Sequence, residues 1–314
     1  MLEINPKDIS TKDLHGYLLS SVGPRPIALV STIDNEERPN LSPFSFFNVF
    51  SANPPIAIFS PARRVRNNTT KHTLQNASLT KEVVINVVSF PIVEQTSLSS
   101  TEYKEGVNEF IKSGFTPIES IEVKPYRVKE SPVQMECIVK DIISLGEEGG
   151  AGNLVVCEIV KMHISENILN EHHKIDPNKI DLVGRMGGNW YCRASNTSLF
   201  EVQKPNSKIG IGYDQLPHHI RNSDILSGND LAKLANIESL PSMEELEKFK
   251  ENKDLVKILR SSLDEQQTRE NLHYHCKKLL QENKVLDAWS TLLIEKPNMD
   301  NVNADKRLIF LSSL

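Results

Sequence analysis

A basic segment follows the apolar stretch NPPIAIFSP in the first third of the chain. It carries Arg63, Arg64 and Lys71, with hydroxyl groups on either side at Ser60 and Thr73. Lys71 and Thr73 stand at the predicted start of a helix, where free backbone N–H groups and the helix dipole favour an anion. An ammonium and a hydroxyl at that place are suited to binding a phosphate group. The alternative, a solvated basic loop, stays open, above all for Arg64.

The preceding stretch, NLSPFSFFNVFSANPPIAIFSP, has no charged side chain. An extended segment places alternate side chains on opposite faces, so Ser42, Phe44 and Phe46 are predicted to share one face and Ser45 the other. The prolines stiffen the backbone, and Asn48 can donate and accept hydrogen bonds. One face would pack inward while the other lines a slot for a flat aromatic ligand with an anionic tail. Alternatively, the serines cap turns and the phenylalanines fill an ordinary core.

The remaining polar residues contain no convincing acid–base pair, and the catalytic residues stay unidentified. The histidine pairs in EHHKID and LPHHI lack the Cys or carboxylate spacing that would complete a metal site. His273 and His275 lie two apart on a predicted helix and therefore face different ways. The four cysteines form no C-x-x-C pair. We therefore expect no metal, and reduced cysteines packed as small apolar residues in a cytoplasmic protein.

Composition excludes some partners and leaves the domain count at one or two. The chain has 314 residues, of which 39% are hydrophobic, so it can bury a normal core. Its net charge of -5 supplies no excess of cations to cover nucleic-acid phosphates. No basic leader followed by an apolar core is visible, and no run approaches the roughly 20 apolar residues that span a bilayer. Neither nucleic acid nor a membrane is an expected partner.

The elements that would position these residues are mostly strands. Short apolar, β-branched runs are predicted as strands: PIALVSTI, PPIAIFS, EVVINVVSF, VQMECIVKDIISLG and NLVVCEIVKMHI. Their irregular spacing, with only the short helices KHTLQNASLT and GVNEFIKSGF between them, favours a closed or nearly closed antiparallel barrel. Helical periodicity dominates after about residue 205, where Ser242 and Glu245 have the spacing of a capping box. The predicted domains are residues 1–205 and 206–314.

An ordered set of short motifs gives these elements a family resemblance. GPRPIALVST, PNLSPFSFFN, NPPIAIFSP, KHTLQN, VVINVVS, GVNEFIKSGFTP, ESPVQMEC, GNLVVCEIV and RMGGNWYCR occur in this order. Together they resemble the flavin-reductase-like, FMN-binding split-barrel family over about residues 10–205. The resemblance implies a mainly β fold, a six-stranded antiparallel split barrel with short helical inserts. The helical periodicity beyond about residue 205 adds a C-terminal α-helical region to this fold. It also implies a homodimer with FMN near the subunit interface, and FEVQKP as the closing strand.

The resemblance extends the list of cofactor-binding candidates. GPRPIALVST would border the cofactor, which adds Arg25, Ser31 and Thr32, and the glycine-rich loop GRMGGNWY adds Met186. The complete predicted FMN-binding set is Arg25, Ser31, Thr32, Ser42, Phe44, Ser45, Asn48, Ser60, Arg63, Lys71, Thr73 and Met186. The family usually has an aspartate where His72 stands, so this chain lacks either a negative charge beside the phosphate or a helix cap.

The resemblance implies an oxidoreductase that passes electrons from NAD(P)H to flavin and then to an acceptor. Hydride transfer to a flavin needs stacking and alignment more than a protein acid, because the cofactor carries the chemistry. An FMN-holding electron carrier that acts with a protein partner is the alternative, motivated by the extra helical region. A barrel that has lost flavin and serves as a scaffold is a third interpretation. The choice between NADH and NADPH stays open.

Overall fold

The computed structural model describes residues 1–205, 209–262 and 264–294. Its chain divides into two compact units, Met1–Phe200 and Glu201–Leu314. The sequence predicts a helical region over residues 206–314, and its part from residue 295 onward lies outside the described residues. No described helix is both long enough and apolar enough to cross a membrane.

The first unit contains all of the described strands. They are β1 Ala28–Ile33, β2 Pro39–Phe44, β3 Phe47–Ala52, β4 Pro55–Phe59, β5 Glu82–Val87, β6 Pro117–Ile118, β7 Arg127–Val128, β8 Val133–Ser144, β9 Asn153–Ile164, β10 Leu182–Arg185 and β11 Tyr191–Ala194. Its α-helices are α1 Thr11–Ser21, α2 His72–Thr80, α3 Val93–Leu98, α4 Glu109–Ser113 and α5 Pro177–Ile180. Both helices predicted from the sequence are therefore present, as α2 and α4.

Seven strands form one antiparallel sheet in the order β2-β1-β5-β8-β9-β4-β3. The prediction of a six-stranded barrel is corrected in two respects, since a seventh strand is present and no described pairing joins the edge strands β2 and β3. The chain bends at Ser45 and Phe46 and passes directly from one edge strand to the other. The three residue steps from Phe44 to Phe47 reach at most about 10 Å. The sheet therefore curls until its two edges approach each other at this corner.

Other sequence predictions are corrected in detail. The stretch FEVQKP, expected to form a closing strand, contains none. Arg185 and Tyr191, expected in a loop, are paired residues of the β10–β11 hairpin. The predicted common face of Phe44 and Phe46 is also wrong, because the alternation is interrupted at the bend. Phe44 is buried, whereas Phe46 is 40% exposed.

Alternation along β1 separates two apolar clusters on the two faces of the sheet. Ala28 and Val30 belong to the cluster enclosed by the curled sheet, together with Phe44, Phe59 and residues of β5, β8 and β9. Leu29 faces the other way, into a cluster with Phe110 of α4. Cys137 and Cys157 lie in the enclosed cluster, where burial raises the pKa of Cys137 well above its usual range and that of Cys157 to about 12.

The second unit is helical, as predicted. It contains α6 His218–Arg221, α7 Gly228–Ala235, α8 Met243–Phe249, α9 Lys253–Ser261, α10 Glu265–Gln281 and α11 Val285–Leu293. Its core includes Trp289, whose indole N–H donates to the Leu234 carbonyl at 2.9 Å. The capping box of Ser242 and Glu245 is confirmed at the start of α8. Burial also raises the pKa of Cys276 to about 12 in this core.

A buried carboxylate holds the segment before β7 against the outer face of β8. Glu136 has no exposed surface and accepts the N–H groups of Ile121 and Glu122, the latter at 2.6 Å. His163 of β9 contacts the same carboxylate at 2.6 Å through Nε2. Burial alone would raise the pKa of Glu136, but these partners outweigh it and hold the pKa below its usual range.

We expect Glu136→Gln to lower the free energy of unfolding at neutral pH by about 2–3 kcal/mol, because charge-assisted hydrogen bonds are lost. The folded pKa lies below the unfolded one, so the carboxylate stabilises the fold above the unfolded pKa of about 4.3. This contribution is lost as the pH falls through the folded value. Urea unfolding curves at several pH values should therefore converge for the wild type and the variant in acid.

The matched control is Glu158→Gln on the neighbouring strand β9. Glu158 pairs with Lys140 at 3.0 Å at the surface, and such pairs contribute about 0–1 kcal/mol. Equal losses in the two variants at neutral pH would contradict the role given to the buried carboxylate.

Candidate functional site

A cationic pocket lies where the loop after β4 meets the start of α2; we define it by Arg64, Lys71 and the first turn of α2. The loop folds back on itself, and the Arg64 guanidinium donates to the Thr69 hydroxyl at 2.9 Å and the Thr70 carbonyl at 2.7 Å. The Lys71 ammonium lies 4.8 Å from the centre of the Phe44 ring. Burial and the charge of Arg64 lower the pKa of Lys71, and Glu102 opposes this shift.

The Lys71 ammonium has no hydrogen-bonded acceptor within the described part of the chain. Lys71 is also the N-cap of α2, and its side chain makes no capping bond. The first turn of a helix leaves backbone N–H groups without partners and carries the positive end of the dipole. Cation, N–H groups and dipole therefore all favour an anion at one place.

A buried polar network lies directly beneath this pocket. The Asn40 amide donates to the Thr73 hydroxyl at 2.9 Å and to the Thr32 hydroxyl at 3.1 Å. Asn76 of α2 donates to the same Thr32 oxygen at 3.1 Å. Thr73 is only 1% exposed, so its hydroxyl belongs first to this network. A hydroxyl that accepts still has its proton to donate.

Ser60 and Arg63 lie in the loop after β4 and already have protein partners. The Ser60 oxygen accepts the Asn153 N–H at 3.1 Å. The Arg63 guanidinium donates to the side-chain and backbone oxygens of Asn68, at 2.6 and 2.8 Å. The remaining N–H groups of Arg63 and the Ser60 proton are the donors that a ligand at this loop would meet.

Arg25 joins three segments on the other side of the β2–β3 corner. Its guanidinium donates to the carbonyls of Leu19 and Val22 at the end of α1, to the Met186 carbonyl at 3.0 Å and to the Ser45 hydroxyl at 3.4 Å. Arg25 is only 5% exposed, and none of these partners carries a negative charge. Burial, followed by the nearby charge of Arg185, lowers the pKa of Arg25. The structure thus brings Arg25, Ser45 and Met186 together.

Ser31 and Thr32, both predicted near the flavin, face opposite sides of β1. Thr32 points into the polar network, whereas Ser31 follows Leu29 toward the other face. The Ser31 hydroxyl is fully buried and has no hydrogen-bond partner among the described residues. One strand therefore cannot present both side chains to a single ligand.

The remaining candidates are divided between the two edge strands. Ser42 is half-buried on β2, and Phe44 lies beside Lys71. Asn48 is exposed on β3, where its side-chain oxygen accepts the Val49 N–H at 2.8 Å. Sequence reasoning missed Asn40 and Asn76. Their positions within the motifs PNLSPF and KHTLQN were the only indication of a role. The hydrogen bond of each to Thr32 forms only in the folded sheet and could not be predicted from the sequence.

Comparison with known proteins identifies the family to which this barrel belongs. A family model described as a flavin reductase like domain matches residues 20–178. The chain belongs to this flavin reductase-like family.

Individual relatives of this flavin reductase-like chain match about two thirds of it. An uncharacterized protein of Aquifex aeolicus is 35% identical over 201 residues, which are 64% of this chain and 100% of the relative. Nitrilotriacetate monooxygenase component B from Bacillus cereus has 29% identity and a TM-score of 0.60, covering 64% of this chain and 98% of the other. The 2-nitrobenzoate 2-nitroreductase of Pseudomonas fluorescens has 27% identity and a TM-score of 0.57, covering 64% and 96%.

A third solved structure is similar in fold. This candidate flavin reductase with a split barrel domain comes from Shewanella frigidimarina. It has 24% identity and a TM-score of 0.55, and the match covers 65% of this chain and 100% of the other. The curled, open seven-stranded sheet is therefore the split-barrel fold of the family.

We expect Thr32→Val to lower the free energy of unfolding by about 1–3 kcal/mol, because two buried amide groups lose their acceptor. Ser31→Ala is the matched control, since the neighbouring hydroxyl is equally buried and unpaired. Its loss should leave stability unchanged or slightly raised. Urea denaturation measures both. A Ser31→Ala variant as destabilised as Thr32→Val would show that burial alone, and not the network, sets the cost.

Proposed function

We propose that this protein binds FMN and transfers electrons from NAD(P)H through it to an acceptor. Membership of the flavin reductase-like family supports flavin chemistry. Two similar proteins are named as a monooxygenase component and a nitroreductase, which are oxidoreductases by name. The observation that carries the proposal is the half-buried Lys71 ammonium at the start of α2, without a protein acceptor in the described residues.

The chemical groups present fit the demands of FMN. The phosphate dianion needs cations and N–H donors, and we assign it to Lys71, Arg64 and the first turn of α2. The proton of the Thr73 hydroxyl is available for the same phosphate, and Asn40 fixes the orientation of that hydroxyl. When bound, FMN would supply the capacity to accept and release electrons.

The isoalloxazine needs a slot and hydrogen-bonding groups along its edge. We assign these to the β2–β3 corner, where Ser45 and the backbone around it leave the sheet ladder. Met186 lies near this corner, because the Arg25 guanidinium donates both to the Ser45 hydroxyl and to the Met186 carbonyl. The protein's part in the reaction is therefore to hold and orient the ring, while the nicotinamide stacks against it.

An FMN-holding electron carrier is the second candidate function. The observation that favours it is the separate helical unit Glu201–Leu314, which lies outside the match to the family model at residues 20–178. Such a unit offers a surface for a protein partner. In this alternative the flavin exchanges electrons with that partner and reacts slowly with NAD(P)H.

We also propose that the protein acts as a homodimer. Edge strand β3 exposes Val49 by 55% and Phe50 by 65%, and an apolar edge strand is a natural surface for a second copy. A mass of one chain by light scattering at micromolar concentration would contradict the dimer.

Replacing Lys71 and Thr73 together by alanine should weaken FMN binding at least about 100-fold, because two interactions with a charged phosphate are each worth about 1.5–3 kcal/mol. Quenching of flavin fluorescence during titration of the FMN-free protein measures the dissociation constant. Lys129→Ala is the control, since Lys129 is exposed and far along the chain from α2. Unchanged FMN retention in the double variant would refute the phosphate assignment.

Anaerobic addition of NADH or NADPH should bleach the absorbance of the bound flavin within seconds if the protein is a reductase. The faster nucleotide names the physiological donor. A flavin spectrum that persists with both would instead support the electron carrier. Purified protein that stays colourless after incubation with FMN would contradict both functions and favour a barrel without cofactor.

A further inference from the structure

Helix α1 lies against the protein without burying any of its own residues. An isolated helix of 11 residues is marginal in water, so α1 depends on a few contacts at its ends and middle. Regions with few buried apolar contacts open locally at low free-energy cost. Any group that fixes α1 therefore decides how often it detaches.

The contacts of α1 connect the two halves of the candidate site. At its start, the Thr11 methyl group lies close to Gly150, since a Cβ atom added there would be 2.9 Å from it. The Gly150 N–H in turn donates to the Arg63 carbonyl at 2.9 Å. In its middle, the His15 ring meets Phe46 of the β2–β3 corner edge-on, at 6.3 Å between centroids. At 1.5 Å per residue, the 11 residues of α1 span about 16 Å from Thr11 to Ser21.

The end of α1 is closely fitted to the loop between β10 and β11. A Cβ atom at Gly187 would clash with the Ser20 hydroxyl oxygen and would lie 3.0 Å from the Ser20 Cα. A Cβ atom at Gly23 would lie 3.2 Å from the Met186 sulfur. The helix thus extends from the Arg63 loop to the Met186 loop and follows the segments assigned above to FMN.

Arg25 fixes this end of α1. The last carbonyls of a helix lack helical partners and carry its negative dipole, and Arg25 binds two of them, on Leu19 and Val22. The same guanidinium holds Ser45 and the Met186 carbonyl. A buried cation whose partners are all neutral is costly to keep, so the helix dipole and these carbonyls are what stabilise it.

We infer that Arg25 is a positioning residue that fastens α1 to the β2–β3 corner and to the loop between β10 and β11, and thereby slows the exchange of FMN. Opening of α1 breaks the bonds of Arg25 to Leu19 and Val22 and frees the groups around Ser45 and Met186. Only the slower exchange of FMN rests on the proposed function. The fastening of α1 is a property of the FMN-free chain and can be measured separately.

The test uses Arg25→Met, which keeps the length of the side chain but removes every donor. Amide hydrogen exchange of the FMN-free protein should accelerate at least about tenfold over residues 14–22. Release of FMN on rapid dilution, followed by recovery of flavin fluorescence, should accelerate by a similar factor. The control is Arg127→Met, because Arg127 also bonds protein oxygens, those of Glu119 and Gln134. It should change both rates less than about twofold.

Two glycine variants test the same inference without altering Arg25. Gly187→Ala should displace the end of α1 through its contact with Ser20 and accelerate FMN release as Arg25→Met does. Gly16→Ala has open space around it and raises helix propensity, so it should slow both rates several-fold. Because Gly187→Ala should accelerate FMN release and Gly16→Ala should slow it, the pair tests the inference even if Arg25→Met does not fold.

The outcomes separate the two proposals. Faster exchange in α1 with unchanged FMN release would overturn the gating of flavin, and unchanged exchange in α1 would overturn the fastening itself. Equal acceleration of FMN release by Arg25→Met and Arg127→Met would also overturn the inference, since it would reflect general destabilisation. If wild-type protein does not bind FMN, the proposed function fails, while accelerated exchange in α1 still supports the role of Arg25.

Discussion

The short connection between β2 and β3 is the constraint on which the rest of the structure depends. These two strands stand at opposite edges of the seven-stranded sheet, yet only Ser45 and Phe46 lie between them. The sheet must therefore curl, and the corner becomes the place where the two edges meet. Phe44, the last residue before the corner, lies beside Lys71, and Ser45 lies beside Arg25. One turn thus brings the cationic pocket and the end of α1 into the same region.

Two sequestered cations on either side of this corner are stabilised in different ways. Arg25 is surrounded by neutral acceptors and the end of a helix, so its charge is compensated within the protein. Lys71 lies beside the Phe44 ring and near Arg64, which is itself paired with Glu102 at 3.3 Å, and burial lowers the pKa of Lys71. A partly desolvated ammonium gains most from an anionic partner that replaces its lost hydration. The contrast favours a structural role for Arg25 and supports the proposed binding role of Lys71.

The short-range sequence pattern was sufficient to predict individual strands and helices. The apolar runs around β4, β5, β8 and β9 are strands, and KHTLQNASLT is a helix with its start at the basic segment. The proposed phosphate site rests on Lys71 and its place before α2, and both can be read from the local pattern. Alternation failed at Phe46 because a bend interrupts the strand, and no periodicity marks such a bend.

The contacts that complete the site could not be predicted because they join distant segments. Thr32 meets Asn76, 44 residues away, and Arg25 meets Met186, 161 residues away. Arg25 was assigned to the cofactor because its motif borders the flavin in the family, whereas its donors are mostly occupied by protein. Helix α1 was not predicted, since a helix with no buried residue has no clear apolar stripe.

The burial of three of the four cysteines leaves one accessible position for a thiol-directed probe. The thiols of Cys137, Cys157 and Cys276 are buried and have raised pKa values, so almost none is present as thiolate near neutral pH. Cys192 is half-buried in β11, at the base of the loop that holds Met186. A thiol-directed fluorophore or spin label would therefore attach first at the hairpin beside α1. The native chain thus offers a spectroscopic handle on this hairpin without any engineered cysteine.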